Sequence, residues 1–490
     1  MKLPALPRIS FYKHRYVIGY GLYGVLLIIL LVLHVTDIPR GLSDAELASA
    51  THSATTPLVQ LITTDTINAP YVLLQKASLA LLGTTPLAIK LPSIILGLVT
   101  GLALVLMLRR WFSDNIAVVT GIIVSTASPF LSMGRTGTAL IMHAFWLSVI
   151  LFAATKKLVK GDKGFFWKLA FFVSATLSLY TPLMLYPLIA IAVAGLLHPH
   201  IRYILKRISI TKLAIIGLTC AVLLVPLAWS IGTNPSYLSV LLGLPSAATS
   251  LGDIGANLAY LGRVFFDFAH PTVEAFALPL FSAATMILVA LGVGKTIVDR
   301  YAARSYMLLL WTLLILIVTL LNPSALTILY MPVILFLAIG IETIIREWYR
   351  LFPLNPYARV AGLIPLAILL VSVSASNIAH YFYGYLYLPD SSRRTDLSVL
   401  RTTLELPALK DKPVTIVSLP QDSAFFGVVA RDYETLSTST TPVDTVAQIV
   451  TEDAYRLLSE QQRSALGTPY RLITSGGADD PLAYRVYVSE

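Results

Sequence analysis

Two carboxylates, Asp44 and Glu46 in the stretch GLSDAELASA, follow directly on the first long apolar run of a 490-residue chain. A carboxylate in such a place can act as a general base, hold a metal ion, or open a helix by meeting the positive end of its dipole. The spacing separates the pair. Ser43-Asp44-Ala45-Glu46 fits a capping box, in which serine caps the helix and the glutamate three residues on bonds back to the cap amide. Side chains two positions apart on a helix point about 200° apart, so the two acids do not converge on one ion. Glu46 reads as half of a cap, and Asp44 remains in the first turn as the candidate for chemistry.

The elements that must position these acids are membrane helices. The chain is 56% hydrophobic and 13% charged, whereas a soluble protein carries about 25% charged residues. Runs of about 20 apolar residues recur, the length a bilayer core demands of a helix. The net charge of +10 comes from Lys and Arg in short loops between these runs, the pattern of cytoplasmic loops, and this excludes nucleic acid as a partner. Cys220, the single cysteine, permits no internal disulfide and no cysteine metal cluster. The N-terminal stretch has a basic flank, then a span-length run with no small-residue cleavage site, and reads as a retained anchor.

Loop charge sets the expected topology. Lys2, Arg8, Lys13 and Arg15 keep the N-terminus cytoplasmic, and about eleven spans follow between residues 16 and 379. The 69–83 segment is too short to span and carries Gln75 and Lys76 at its centre; it is expected to lie at the membrane surface. The expected organisation is a polytopic α-helical domain over 1–379, with outer loops at 36–86 and 232–276, and a small extracytoplasmic α/β domain over 380–490. In that domain PVTIVSLP, FFGVVA and YRLITS read as strands and EDAYRLLSEQQRSALG as a helix with a glycine stop. The expected location is the plasma (cytoplasmic) membrane.

The order of several stretches resembles a known family. GLSDAELASA is followed by NAPYVLLQKASLALLG, then PLAIKLPSIILGLVTGLALVLML, RRWFSDNIAVVTGIIVSTASPFLSMGRTG and WKLAFFVSATLSLYTPLMLYPLIA. This succession resembles the GT-C superfamily of membrane glycosyltransferases, in its protein-O-mannosyltransferase and aminoarabinose-transferase branch. The resemblance is good over 16–200, looser over 200–380, and does not reach the tail. It implies a polyprenyl-phosphate-linked sugar donor and transfer to a protein, lipid or glycan acceptor outside the cytoplasm. It assigns Asp44 as catalytic base or metal contact. Lys90 and Arg135 match the family's basic positions and become candidate phosphate contacts, with Glu46 and Tyr71 as further substrate-binding candidates. Asn68 stands where the family has a basic residue, and no acid follows Arg135.

Sugar transfer from a lipid phosphate needs a base for the acceptor hydroxyl and positive charge on the departing phosphate, from Arg, Lys or a divalent metal ion. A divalent ion is the only cofactor this chemistry admits, and its candidate ligands are Asp44 and His270. Arg263, His52 and Asp65 are further outer-loop candidates. Lys76 reads either as an interfacial anchor or as a lipid-phosphate contact. Two other classes fit the same chain: a lipid-sugar flippase and a non-catalytic relative of the family. Acids at the outer boundary, rather than at mid-membrane, favour the enzyme over the transporter.

Overall fold

The computed structural model describes residues 11–156, 162–197, 199, 202, 209–245, 250–273, 276–352, 356–387, 394–410, 412–443, 445–473 and 483–488. The first helix, α1 (Phe11–Val32), leads into a short strand β1 (Leu42–Ser43) and then α2 (Asp44–Thr55), α3 (Leu58–Thr63) and α4 (Ala69–Leu82). Helix α5 (Pro86–Trp111) follows; the Thr85 hydroxyl caps it by accepting from the Ala88 amide at 3.1 Å, and Pro86 occupies its first position. Helices α6 (Asp114–Thr126) and α7 (Ser128–Arg135) are bent by 64° at Ala127. Pro129 has no amide hydrogen with which to continue the α6 ladder, so the chain turns and restarts.

Beyond them come α8 (Ile141–Lys156), α9 (Asp162–Ser178), α10 (Leu185–Leu197), α11 (Ile210–Thr233), α12 (Ser236–Leu242) and α13 (Leu251–Phe266). A two-stranded hairpin, β2 (Thr272–Val273) with β3 (Ala277–Leu278), precedes α14 (Ala283–Val298) and α15 (Ala303–Leu321). A 3-10 turn (Pro323–Leu329) then leads into α16 (Tyr330–Leu351), and α17 (Pro356–Tyr387) ends the bundle.

Among the described residues five helices are long and apolar enough to cross a bilayer, and the bent α6–α7 pair makes a sixth if it counts as one span. The structure does not establish the expected eleven. Helices α8, α9 and α10, which this count takes as spans, have 16, 17 and 13 residues. At 1.5 Å per residue these reach about 24, 26 and 20 Å, short of a core about 30 Å thick. The last run, expected to stop at 379, continues as helix to Tyr387 because its aromatic face packs inward: Tyr381 is buried and stacks edge-on against Phe382 and Tyr385.

The C-terminal residues form β4 (Arg394–Thr395), α18 (Leu397–Leu404), β5 (Val414–Val417), α19 (Pro420–Ala430), β6 (Leu436–Ser439), β7 (Ala447–Thr451), α20 (Glu452–Leu457), α21 (Glu460–Leu466), β8 (Arg471–Ile473) and β9 (Tyr484–Val488). Five strands make a mixed sheet in the order β6-β5-β7-β9-β8, parallel across β6-β5-β7 and antiparallel beyond. Two expectations are corrected. FFGVVA is the second half of α19, not a strand: Pro420 opens the helix, and Phe425, Phe426, Val428 and Val429 are all buried. A short continuous apolar run does not by itself tell a buried strand from a buried helix. The single helix expected over EDAYRLLSEQQRSALG is two, because Leu458 is extended and Ser459 starts α21 with its own capping box to Gln462.

The C-terminal sheet does not stand apart from residues 36–86. Leu42, Leu47, Leu79 and Ile89 share one apolar core with Leu397, Leu400, Phe425, Phe426 and Ile449. Strand β1 pairs with β4, Leu42 opposite Thr395 and Ser43 opposite Arg394. The Arg40 guanidinium meets Asp396 at 3.1 Å, and the Thr84 amide donates to Asp432 at 2.7 Å.

One proline organises the packing beneath this layer. Pro92 lies inside α5 and leaves the carbonyl four residues back without its helical donor. That carbonyl, on Ala88, receives the Ser78 hydroxyl of α4 at 2.6 Å. The neighbouring Ile89 carbonyl receives the Gln75 side-chain amide at 3.0 Å, and the same amide donates to the Gly137 carbonyl at 2.9 Å. The Gln75 oxygen accepts from the hydroxyls of Ser49 and Ser53 at 2.8 and 2.7 Å. The 69–83 segment is therefore a packed strut between α2 and α5, and Gln75 is fully buried with its amide satisfied by protein. Replacing Gln75 with Leu leaves these polar groups buried and unpaired, and should lower stability by about 2–4 kcal/mol. Thermal unfolding of the detergent-solubilised variant, scored beside Leu73→Ala on the exposed face of α4, checks this.

Candidate functional site

The site is built from the turn between α1 and α2. The last carbonyls of a helix have no partner within it, and here the bend between α6 and α7 delivers a cation to one of them and to the turn beyond. Arg135, fully buried at the end of α7, donates to the carbonyls of Leu30 at 2.5 Å, His34 at 2.8 Å and Ile38 at 2.9 Å. The far face of its guanidinium lies over the rings of Phe382 and Tyr381, 5.1 and 5.8 Å from their centroids. Lys90, also fully buried, donates from Nζ to the carbonyls of Val35 at 2.9 Å and Pro39 at 3.5 Å. The two cations expected to contact phosphate thus hold residues 30–39 through peptide oxygens.

Glu46 bonds in two directions from a fully buried position. One carboxylate oxygen accepts from the Ser43 amide at 3.0 Å and hydroxyl at 3.1 Å, completing the capping box that the sequence implies. The other accepts from the Gly137 amide at 2.8 Å, tying the start of α2 to the turn after α7. A Cβ at Gly137 would stand 2.8 Å from the Ile89 carbonyl oxygen, so this approach requires glycine. Tyr71 is likewise buried, its hydroxyl 2.9 Å from that of Ser93.

Asp44 differs from all of these in being exposed. It is the first residue of α2, directly after the Ser43 cap. Glu46 lies two positions on, facing inward, so the acidic pair splits into one buried and one accessible carboxylate. Strand β1 immediately before Asp44 is paired with β4, which puts the C-terminal residues on the same side of the molecule as this carboxylate.

The remaining candidates are dispersed. His52 and Asp65 form a pair at 2.6 Å, both about a third exposed. Asp65 also acts on Tyr237 of α12, whose hydroxyl is pushed up first by burial and then by this negative charge. Lys76 donates to the carbonyls of Ser53, Ala54 and Thr56 and so caps the C-terminal end of α2. His270 is 82% exposed and bonds Asp267 at 3.1 Å, which draws that carboxyl below its usual range. Arg263 lies over the ring of Tyr260. Among the described residues no three His, Cys, Asp or Glu side chains converge as a metal site. Within that set, Asp44 and His270 have no third such ligand with which to hold an ion.

Three residues of this region carry no signal in the sequence. Asp37 bonds His34 at 3.1 Å, and that bond holds its carboxyl below the usual range. What stability this pair contributes is present above the ordinary carboxylate pKa and disappears as pH falls through the lowered one. Arg40 and Asp396 meet across 356 positions of sequence, a separation no local pattern reveals.

Comparison with known proteins bears on this geometry. A family model described as dolichyl-phosphate-mannose-protein mannosyltransferase matches residues 69–229. No protein with a curated description matches. The apo structure of ArnT from Cupriavidus metallidurans superposes with a TM-score of 0.56 at 13% identity, covering 98% of each chain. The same protein bound to undecaprenyl phosphate superposes at 0.50 and 13% identity, over 97% of this chain and 98% of that one. The Archaeoglobus fulgidus oligosaccharyltransferase tethered to an acceptor peptide gives 0.52 at 12% identity, over 87% of this chain and 64% of that one. The fold is shared with these structures.

Glu46→Gln replaces one carboxylate oxygen with an amide nitrogen that must face a donor amide. It should destabilise the protein by about 1–3 kcal/mol and open residues 35–46 to proteolysis. Limited proteolysis with mass mapping checks this, and Ala45→Gln at the neighbouring exposed position should change neither.

Proposed function

We propose that this chain is a membrane glycosyltransferase. It moves a sugar from a polyprenyl-phosphate-linked donor to an acceptor hydroxyl on the outer side of the membrane, with Asp44 as the general base. The observation that carries the reading is Asp44 itself: an exposed carboxylate at the start of α2, on a turn that Lys90, Arg135 and Glu46 fix from within. The match to the mannosyltransferase family model and the fold shared with an enzyme seen bound to undecaprenyl phosphate support the donor class.

In this reaction the acceptor oxygen attacks the anomeric carbon while Asp44 takes its proton. The bond from the anomeric carbon to the phosphate oxygen breaks, and the lipid phosphate leaves with the bonding electrons. A phosphate leaves as a stable anion, so no general acid is required. Lys90 and Arg135 serve as positioning residues in this account. They fix residues 30–39 and thereby the approach to α2, and their positive charge lies beneath the loop that the phosphate meets. Pre-set geometry of this kind lowers the barrier because the base need not be ordered during reaction. No step is routed through a metal ion.

Transfer from a radiolabelled undecaprenyl-phosphate sugar to an acceptor extract, with purified protein in liposomes, tests the assignment. Asp44→Asn should lower kcat about 10²–10⁴-fold with unchanged thermal stability. Undiminished transfer by that variant contradicts the role of Asp44, and movement of lipid across the bilayer without transfer makes the protein a flippase.

A further inference from the structure

A cavity of about 500 Å³ lies between the first outer loop and the C-terminal domain, within the size range of small-molecule sites. One wall holds Asp37, Leu82 and Leu87; the facing wall holds Asp396, Arg401, Asp432 and Tyr433. We infer that this cavity binds a carbohydrate group of the acceptor. Its role as an acceptor site rests on the glycosyltransferase reading; its ligand chemistry does not.

The lining defines that chemistry. Ionised carboxylates only accept hydrogen bonds, so the occupant must be rich in donors. Two kinds of donor-rich ligand are possible, cations and polyols, and the charge balance chooses between them. Asp396 bonds Arg40 at 3.1 Å, Asp432 accepts from the Thr84 amide at 2.7 Å, and the Arg401 guanidinium lines the same cavity. A cation would meet Arg401 as well as the carboxylates, whereas a polyol, whose hydroxyls both donate and accept, can satisfy the two kinds of lining group together. The apolar part of the lining completes the match. Leu82, Leu87 and the Tyr433 ring are 47%, 43% and 37% exposed, and together offer the surface on which the C–H face of a sugar ring packs.

Position links the cavity to Asp44. Gly41 and Asp396 both line it, and each is the immediate neighbour of a paired strand, β1 or β4. Gly41 adopts φ +70°, and a Cβ there would meet the Thr395 carbonyl oxygen at 3.1 Å. The wall therefore closes tightly against the C-terminal domain, three residues before Asp44.

The test is saturation-transfer NMR on the full chain in nanodiscs, titrated with methyl α-mannoside and maltose as neutral probes and tetralysine as a cationic one. The neutral sugars should bind, and both Leu87→Trp, which fills the cavity, and Tyr433→Ala, which removes the platform, should weaken them at least about tenfold. Asp44→Asn should leave sugar binding unchanged while transfer is lost. Sugar binding indifferent to both cavity variants, no sugar binding at all, or preference for tetralysine overturns the inference and leaves the transferase reading intact. Sugar binding in the cavity of a wild-type protein that transfers nothing overturns the transferase reading instead and leaves the carbohydrate site standing.

Discussion

Two buried cations held against peptide oxygens determine the shape of the turn that carries the candidate site. Removing an ammonium or a guanidinium from water is strongly unfavourable unless good acceptors replace the lost hydration. For Arg135 and Lys90 those acceptors are the carbonyls of Leu30, His34 and Ile38 and of Val35 and Pro39. Of these carbonyls Leu30 lies in the last turn of α1, where helix carbonyls lack a helical donor, while His34 also accepts the Asp37 and Ile38 amides. Release of the turn would strand the two cations, and this makes residues 30–39 a fixed mount for α2 rather than a loose connection.

The same logic repeats outward. Pro92 interrupts α5, and Ser78 and Gln75 of α4 take up the exposed carbonyls. Gln75 then reaches Ser49 and Ser53 on α2, and Glu46 reaches the Gly137 amide beyond α7. These buried polar groups between α1 and α5 are thereby satisfied by neighbouring helices. The C-terminal sheet adds the last constraint by sharing its apolar core with α2, α4 and the start of α5. Asp44 sits where these layers meet and is exposed.

Local chemistry is legible in the sequence, and long-range chemistry is not. The Ser43–Glu46 box depends on residues three apart, and that spacing alone separates the two acids. The apolar runs announce a helical membrane protein for a similar reason, being contiguous. Lys90 and Arg135 stand out as charged residues near the ends of apolar helices, but their partners are carbonyls 51 to 105 positions away, and every residue type carries a carbonyl. Lys76 caps α2 for the same hidden reason. FFGVVA reads as a strand because a six-residue run with four buried apolar side chains is too short to show a helical period. The junction of the C-terminal domain with the first loop, through Arg40, Asp396 and the β1–β4 pair, joins ends of the chain that no periodicity connects.

The central claim is that Lys90 and Arg135 act through the loop they hold, whether or not substrate is bound. Hydrogen–deuterium exchange of the 30–46 peptides, in protein free of donor, measures this directly for wild type and for Arg135→Met. The account predicts exchange at least about tenfold faster in that segment, with the α14–α16 peptides unchanged, because local opening reports the lost contacts. Identical exchange in the two proteins, accompanied by a loss of donor binding in the variant, would contradict it and return Arg135 to the substrate.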